Sequence, residues 1–393
     1  MQNYTNTNLL NLKGVSIDEV VSFDDHIDVK LHSLYKEGLC PVCDHKTSRI
    51  HDYRLQRIQH TPIGLRKVFL FLRKKRFVCP HCQKRFYESL DFLAPYSRRT
   101  KDLHFFIQDQ LKQVRSLSSI AKDLGLSSSC LTSYLKLAPR RRPNLPRVLS
   151  MDEFKGNAGG DKYQCILVDP IHHQVLDILP SRRKKALMDY FSSFPKEERR
   201  RVKYVVMDMS HLFYAVLKEF FPQATFIADK FHFARQVFWA LENVRKTRQK
   251  TRDAKYRLYF KRSKSILRKK GSRLSPEEKE KLELMLWQDK EIKEAYFLKE
   301  SFYDVLDASS KEEARQALDK WLWVAKESGL KEFKASIRAY ENWKEEILNA
   351  FSTGITNGQT EGFNNKIKVI KRVSYGYRNF ENFKSRILMV LRA

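Results

Sequence analysis

The sequence predicts a multidomain protein that combines α+β and α/β parts, and three observations predict it. Two Cys-x-x-Cys pairs, Cys40/Cys43 and Cys79/Cys82, bracket an early strand-rich stretch. After a segment rich in proline and arginine, hydrophobic periodicity turns strand-like and then alternates between strand and helix. Later, residues 236–350 read as helical throughout, with Gly271 and Gly329 as the only glycine breaks. At 393 residues the chain exceeds what one hydrophobic core usually organises.

Composition narrows the partners. Lys and Arg number 75 against 46 acids, a net charge of +29. Such a surface favours a phosphate-rich partner, because each neutralised phosphate releases condensed counterions. Nucleic acid comes first and an anionic membrane second. No apolar run approaches the roughly 20 residues of a membrane span, and the start, MQNYTNTNLLNL, has neither a basic opening nor an export-length apolar stretch. A cytoplasmic protein with no membrane partner is therefore expected, and its cysteines should be metal ligands or core residues rather than disulfides.

Residues 1–95 read as a zinc-binding module. Each Cys-x-x-Cys turn presents two thiolates, so Cys40, Cys43, Cys79 and Cys82 suit one structural tetrahedral Zn²⁺. The intervening residues 44–78 exceed the usual gap of about 15–20, but they hold a strand candidate, Lys67 to Val78, and a turn at Pro62 to Gly64. His45, His51 and His81 are substitute ligands. The basic residues Arg54, Arg57, Arg66, Lys67 and Arg73 to Arg76 suggest contact with a DNA backbone.

Residues 96–138 read as a helix-turn-helix region. Ile120, Ala121 and Leu124 share one helical face, Gly125 supplies the turn, Ser127 caps a second helix, and Leu131, Tyr134 and Leu135 return to the core. Ser128, Ser129, Thr132, Ser133 and Lys136 then line the outer face, where a recognition helix would meet the major groove. An ordinary helical hairpin is the alternative. Residues 139–147, PRRRPNLPR, cannot continue a helix and form a linker.

Residues 148–235 and 351–393 form the expected catalytic core. Strand patterns at Val148–Phe154, Tyr163–Asp169 and Gln174–Leu179 precede a helix, a strand at Val202–Met207, a helix from about His211, and a strand at Thr225–Ala228. That order, βββαβαβ followed by a late helix, is what an RNase H-like sheet would give. Its first and fourth strands are neighbours, so Asp152 and Asp208 should come together, with Glu361 arriving on the late helix. Hard Mg²⁺ or Mn²⁺ takes oxygen ligands, and two such ions suit in-line attack on a phosphodiester. Glu153 should point to the opposite face of its strand. Asp229 and His232 could face the same site from the start of a helix, or Asp229 could cap that helix while His232 is structural. His211 reads as a helix-start residue.

The helical stretch, an all-α insertion at 236–350, begins with an almost purely basic run, Arg245 to Arg273, which suggests DNA contact. Trp287, Trp321, Trp323 and Trp343 read as core anchors of helical hairpins. Beside Glu361, Asn364, Asn365, Lys366 and Lys368 suit contacts to DNA. Tyr375, Gly376 and Tyr377 mark a turn before a closing helix, Phe380 to Leu391.

The stretches RFVCPHCQKRFYE, SMDEF, VVMDMS, ADKFHFARQV and TNGQTEGFNNKIKVIKRVSYGYRNFENFKSRI carry a resemblance. From the first knuckle onward the chain resembles bacterial insertion-sequence transposases of the DDE superfamily, near the ISL-three family. The resemblance implies that Asp152, Asp208 and Glu361 are the catalytic triad. It also implies that the N-terminal module and helix-turn-helix bind the element's terminal inverted repeats, with target DNA as a second partner. Two ends must be joined, so a homodimer or higher oligomer is expected. A non-catalytic DNA-binding regulator and an RNase H-like nuclease or resolvase are the competing readings.

Overall fold

Alternating apolar residues build the first sheet. The structure, a computed structural model, describes residues 10–136, 142–250, 257, 261 and 263–392. Residues 139–141 of the expected linker, and 251–256, 258–260 and 262 of the basic run, lie outside the described residues. Strands β1 (Val15–Ser22), β2 (His26–Ser33), β5 (Ile50–Ile63) and β6 (Arg66–Val78) lie in the order β1-β2-β6-β5, with β7 (Arg85–Tyr87) beside β6. A short hairpin, β3 (Gly38–Leu39) and β4 (Lys46–Thr47), carries the first cysteine knuckle. Val29, Leu31, Ile58, Val68, Leu70 and Leu72 are buried together on one face, as the period of two requires. The tip of the β5–β6 hairpin is Gly64-Leu65, one residue past the expected turn, and Gly64 takes the positive φ of +60° that suits glycine.

Three helices follow. Helix Lys101–Gln110 packs on helices Leu117–Leu124 and Ser128–Lys136 through Leu103, Ile107, Ile120, Leu124, Leu131 and Leu135. Gly125 ends the middle helix at φ +62°, and Ser127 Oγ accepts from Cys130 N at 3.1 Å. Gln59 Nε2 donates to Leu124 O at 2.6 Å, tying this trio to the first sheet. The linker's second half is not free: Arg142 donates to Ser193 O and Glu198, and Leu145 N donates to Glu198 Oε1.

The second sheet has the order β10-β9-β8-β11-β12, from β8 (Val148–Phe154), β9 (Gln164–Asp169), β10 (Gln174–Leu179), β11 (Tyr204–Met207) and β12 (Thr225–Ala228). β8, β9 and β10 form an antiparallel meander, while β11 runs parallel to both β8 and β12. Over β8, β9 and β10 its two faces are buried by different parts of the chain, while both faces of β11 and β12 join one core. Leu149, Met151, Cys165 and Leu167 join a core shared with helix Lys184–Ser192, helix His211–Phe220 and the long helical stretch, including Met285, Trp321, Phe333 and Tyr340. Phe154, Ile166, Val168, Val175 and Ile178 on the other face meet Ile367, Ile370, Phe383 and Ile387 of the C-terminal helices Gly358–Val373 and Phe380–Leu391.

Trp321 and Trp343 are core anchors, as expected. Trp287 and Trp323 are not: they are 84% and 66% exposed, because their helices turn those positions outward while Met285 and Trp321 fill the core. No helix among the described residues is long and apolar enough to cross a membrane.

One buried cation links distant segments. Arg386, on the closing helix, donates to the carbonyls of Leu111, Gln113 and Arg115, which lie in the segment joining the first and second helices of the trio. Replacing it leaves these carbonyls without their donor. Arg386→Ala is expected to lower unfolding free energy by about 2–4 kcal/mol in urea titrations, whereas Lys366→Ala, at an exposed position on the preceding helix, costs less than half as much.

Candidate active site and zinc site

The zinc site is built by two matching turns. In each knuckle the residue four after the first cysteine, Asp44 or Gln83, has positive φ (+53° and +62°) and donates its N–H back to that cysteine's carbonyl at 3.0 and 2.9 Å. The turns bring Cys40 Sγ to 3.5 Å from Cys82 Sγ, and Cys43 Sγ to 3.6 and 3.5 Å from those of Cys79 and Cys82. Sulfur atoms on one tetrahedral zinc stand about 3.8 Å apart, given Zn–S of about 2.3 Å, so the four fit this ion and are too far apart for disulfides. Among the described residues this is the only group of three or more candidate ligands whose donor atoms all lie within 4.8 Å of one another. Burial opposes ionisation of Cys40, but the backbone N–H groups of Val42 and Cys43, together with the Cys82 and Cys43 thiols, outweigh it and bring the thiol down to about 7. Phe77 and Phe86 back the cluster.

The acidic site follows from strand register. β8 and β11 pair Met151 with Met207, and β11 and β12 pair Met207 with Ala228. The next residue of each strand is an aspartate, so Asp152, Asp208 and Asp229 stand at one level across three neighbouring parallel strands. Ser150, Asp152 and Phe154 share the face of β8 that meets the C-terminal helices: Ser150 Oγ bonds Asn357 and Thr360, and Phe154 packs on Phe383. Glu153 points the other way and pairs with Arg182 at 2.7 Å.

His232 lies among the three aspartates. Its Nδ1 is 3.2 Å from Asp208 Oδ1, and its Nε2 is 3.6 Å from Asp229 and 3.9 Å from Asp152. Asp229 does both things weighed for it: Oδ1 accepts from Phe231 N at 3.1 Å at the start of helix Lys230–Lys250, while Oδ2 faces His232 and Asn357. His211 is packed on Trp343, away from this group.

Charge and burial are balanced unevenly here. Burial pushes Asp152 up to about 6, with the charges of Asp229 and Asp208 adding to it and His232 opposing. Burial likewise raises Asp229. Asp208 would also be raised by burial, but the hydrogen bond and charge of His232 bring it below the ordinary carboxylate value. Burial would lower His232, yet the bond to Asp208 and the three negative charges hold it above its usual value. His232 and the three aspartates thus oppose one another's burial costs within one crowded cluster, and Arg235 stands 3.0 Å from His232 Nδ1.

Glu361 sits in the first turn of helix Gly358–Val373, between Thr360, which bonds Ser150, and Asn364, whose Nδ2 donates to Asp152 Oδ2 at 2.8 Å. Its helix is thus docked on β8, but Asp152, Asp208 and Glu361 do not converge within the 4.8 Å span that the four thiols meet. Asn364 is buried against Asp152, not projecting toward DNA as its sequence position suggested; Asn365, Lys366 and Lys368 are exposed. Asn364 Oδ1 is buried with no partner. Three carboxylates on one sheet level, with an orphaned amide oxygen beside them, fit a hard divalent cation, and His232 is the one nitrogen ligand type among them. Sequence reasoning missed Ser150, Asn357 and Thr360. Their signal was present: Ser150 shares a strand face with Asp152, and 357, 360 and 364 repeat at helical spacing.

On helix Ser128–Lys136, Ser128, Ser129, Ser133 and Lys136 are exposed and Thr132 is half-buried, while Leu131, Tyr134 and Leu135 are inside.

Residues 149–387 match the family described as "Transposase", of the DDE type and ISL3 group. Residues 36–82 match "zinc-finger of transposase IS204/IS1001/IS1096/IS1165". The chain is 27% identical over 368 residues to the "Transposase for insertion sequence element IS1001" of Bordetella parapertussis, covering 91% of this chain and 89% of that protein. It is 25% identical over 244 residues to the "Transposase for insertion sequence element IS1557" of Mycobacterium tuberculosis, covering 56% and 54%. A 57-residue likeness, 40% identical, to an "ATP-dependent protease" of Lactococcus lactis covers 14% of this chain and carries no argument for the whole.

Two outcomes follow from these sites. Metal analysis of the purified chain should return one zinc per molecule, and Cys79→Ser should lose it together with thermal stability. Asp152→Asn should stabilise magnesium-free protein at pH 7.5 by ~1–3 kcal/mol. A carboxyl raised to about 6 is penalised only once ionised. The gain should therefore be complete above that pH and vanish toward pH 4, as paired thermal melts would show.

Proposed function

The chain belongs to the ISL3 family of DDE transposases, and from that premise we propose that it binds the terminal inverted repeats of an insertion sequence, cleaves their 3′ ends and joins them to target DNA. The observation that carries this reading is the common level of Asp152 and Asp208, facing the helix that bears Glu361. The strand order, three antiparallel then two parallel with a late helix on the Asp152 face, supports an RNase H-like core made of 148–235 and 351–393, with 236–350 as its insertion.

Asp152, Asp208 and Glu361 would hold the divalent ions, Mg²⁺ or Mn²⁺, which when bound activate a water or 3′-hydroxyl and stabilise the departing oxygen. The protein's own groups prepare that site. Asn364 fixes the Asp152 carboxylate through Oδ2, and His232 holds Asp208. Asn357 bridges Ser150 and Asp229, locking the start of the glutamate helix to two strands. In the first step water adds to the phosphorus at the element's end, breaking its bond to the 3′ oxygen and freeing a 3′-hydroxyl. That hydroxyl then attacks a target phosphodiester and expels the target's own 3′ oxygen, with no covalent protein intermediate.

The first 136 residues supply recognition in this reading. Gly125 and Ser127 set two helices in a helix-turn-helix whose outer residues Ser128, Ser129, Thr132, Ser133 and Lys136 address the major groove. The zinc module and its basic ribbon grip phosphates, and Asn365, Lys366 and Lys368 do so beside the site. Pairing of two ends calls for at least a dimer.

The test incubates protein with labelled end-repeat DNA and Mg²⁺. Wild type should nick and join. Asp208→Asn and Glu361→Gln should each lose at least a hundredfold in rate while retaining DNA affinity. Glu153→Gln, on the opposite face of β8, should stay within a few-fold of wild type. Full activity in Asp208→Asn rejects the assignment.

A further inference from the structure

Helix Gly358–Val373 ends in a way that its own packing does not explain. Tyr375 N donates to Arg372 O at 3.1 Å and Gly376 N to Lys371 O at 3.0 Å. These are the two bonds of a Schellman C-cap, and they put Tyr375 at the position that usually belongs to glycine. Its φ is +53°, in the left-handed region that a bulky side chain disfavours, and the following Gly376 is at +94°. The ring returns nothing to the fold: Tyr375 is 100% exposed. Tyr377, by contrast, stacks on Phe383 at 4.9 Å and bonds Ser374 Oγ. The hydrogen-bonded turn holds one aromatic inward and the other out.

Its surroundings are cationic and anchored to the strand of Asp152. Arg372 and Arg378 are exposed on either side, with no ion pair to either among the described residues. Lys371 Nζ donates to Lys155 O at 2.9 Å, and Gly159 N to Arg378 O at 3.0 Å, fastening the turn to the loop that leaves β8. Between Asn364 and the turn, the helix exposes Asn365, Lys366, Lys368, Val369 and Arg372 and carries no acid. At 1.5 Å per residue the ring stands roughly 16 Å along the helix from the Asn364–Asp152 contact, a span of about five nucleotides at 3.4 Å each.

We infer that Tyr375 is a stacking platform for an unpaired base of the DNA strand that runs from the candidate active site along this basic helix face. The inference rests on the transposase reading for the polarity of the strand, but the platform itself is defined by the turn. An exposed aromatic between cations suits single-stranded nucleic acid, because every base offers a π face while the arginines take its phosphates. A fully paired duplex withholds that face.

The experiment measures binding of full-length protein, without added Mg²⁺, to fluorescein-labelled DNA from the sequence flanking the coding region. One probe is a complete duplex; the other has a five-nucleotide single-stranded end. Tyr375→Ala should weaken binding to the second probe by roughly tenfold and change binding to the first by less than twofold. Tyr375→Trp should restore it, and melting temperature should not fall in either variant. Equal losses on both probes, no loss on either, failure of tryptophan to restore binding, or a changed oligomeric state in Tyr375→Ala would each overturn the inference. Nicking assays run beside it separate the two readings. If wild type never nicks but the tyrosine effect stands, the transposase mechanism fails alone. If wild type nicks and Tyr375→Ala binds both probes as wild type does, the platform fails alone.

Discussion

The parallel pairing of β8, β11 and β12 is the constraint on which the rest depends. A one-residue slip in a strand turns every side chain to the other face. With Met151, Met207 and Ala228 in register, the three following aspartates share one level. The buried residues around them fix that register from both sides. Leu149, Met151, Val205 and Val206 are committed to the core shared with the long helical stretch. Phe154 and Ile166 are committed to the C-terminal helices. Three carboxylates crowded in this way work against the fold, and His232 offsets part of the cost by bonding Asp208 while standing within 4 Å of the other two. A site of this composition is held by its surroundings rather than by its own contacts.

Much of this was legible in the sequence because the signals were local and repeated. Short runs rich in Val, Ile and Leu, separated by turn signals, gave the strands of the second sheet to within a residue or two. The glycine and serine at 125 and 127 gave the turn and cap between two helices. The cysteine pairs gave a metal site whose two halves even share the same turn geometry at Asp44 and Gln83. What stayed hidden depends on where a residue's helix comes to rest. Asn364 and Asn365 are neighbours in sequence and equally polar, yet one is buried on Asp152 and the other faces solvent. Trp287 and Trp323 look like core residues by type, but their rotation about the helix axis is set by Met285 and Trp321. The aspartate at 229 could be read either as a cap or as a site residue because a carboxylate has two oxygens, and the fold uses one for each.

Over β8, β9 and β10 the two faces of the second sheet have different owners, and that division bears on how the site is assembled. One face shares a continuous core with the long helical stretch that follows β12. The face carrying Asp152 is covered by the last two helices, which contribute Ile367, Ile370, Phe383 and Ile387. Glu361 therefore reaches the sheet on an element whose packing is separate from that stretch. Its position is set by a small number of polar bonds, from Asn357 and Thr360 to Ser150 and from Asn364 to Asp152, together with that apolar patch.

The closing helix adds a second connection. Arg386 reaches the carbonyls of the segment joining the first and second helices of the N-terminal trio, and the trio is in turn bonded to β5 through Gln59. The segment that carries Glu361 and the segment that carries the exposed serines of helix Ser128–Lys136 thus lean on one shared helix. An arginine surrounded by carbonyls, with burial pulling its pKa down, is an expensive fastening compared with an apolar contact of the same size. Its geometric advantage is that three fixed acceptors define both distance and angle, which a greasy contact does not. That fork fixes the place of the trio relative to the helix that packs beside the glutamate's own.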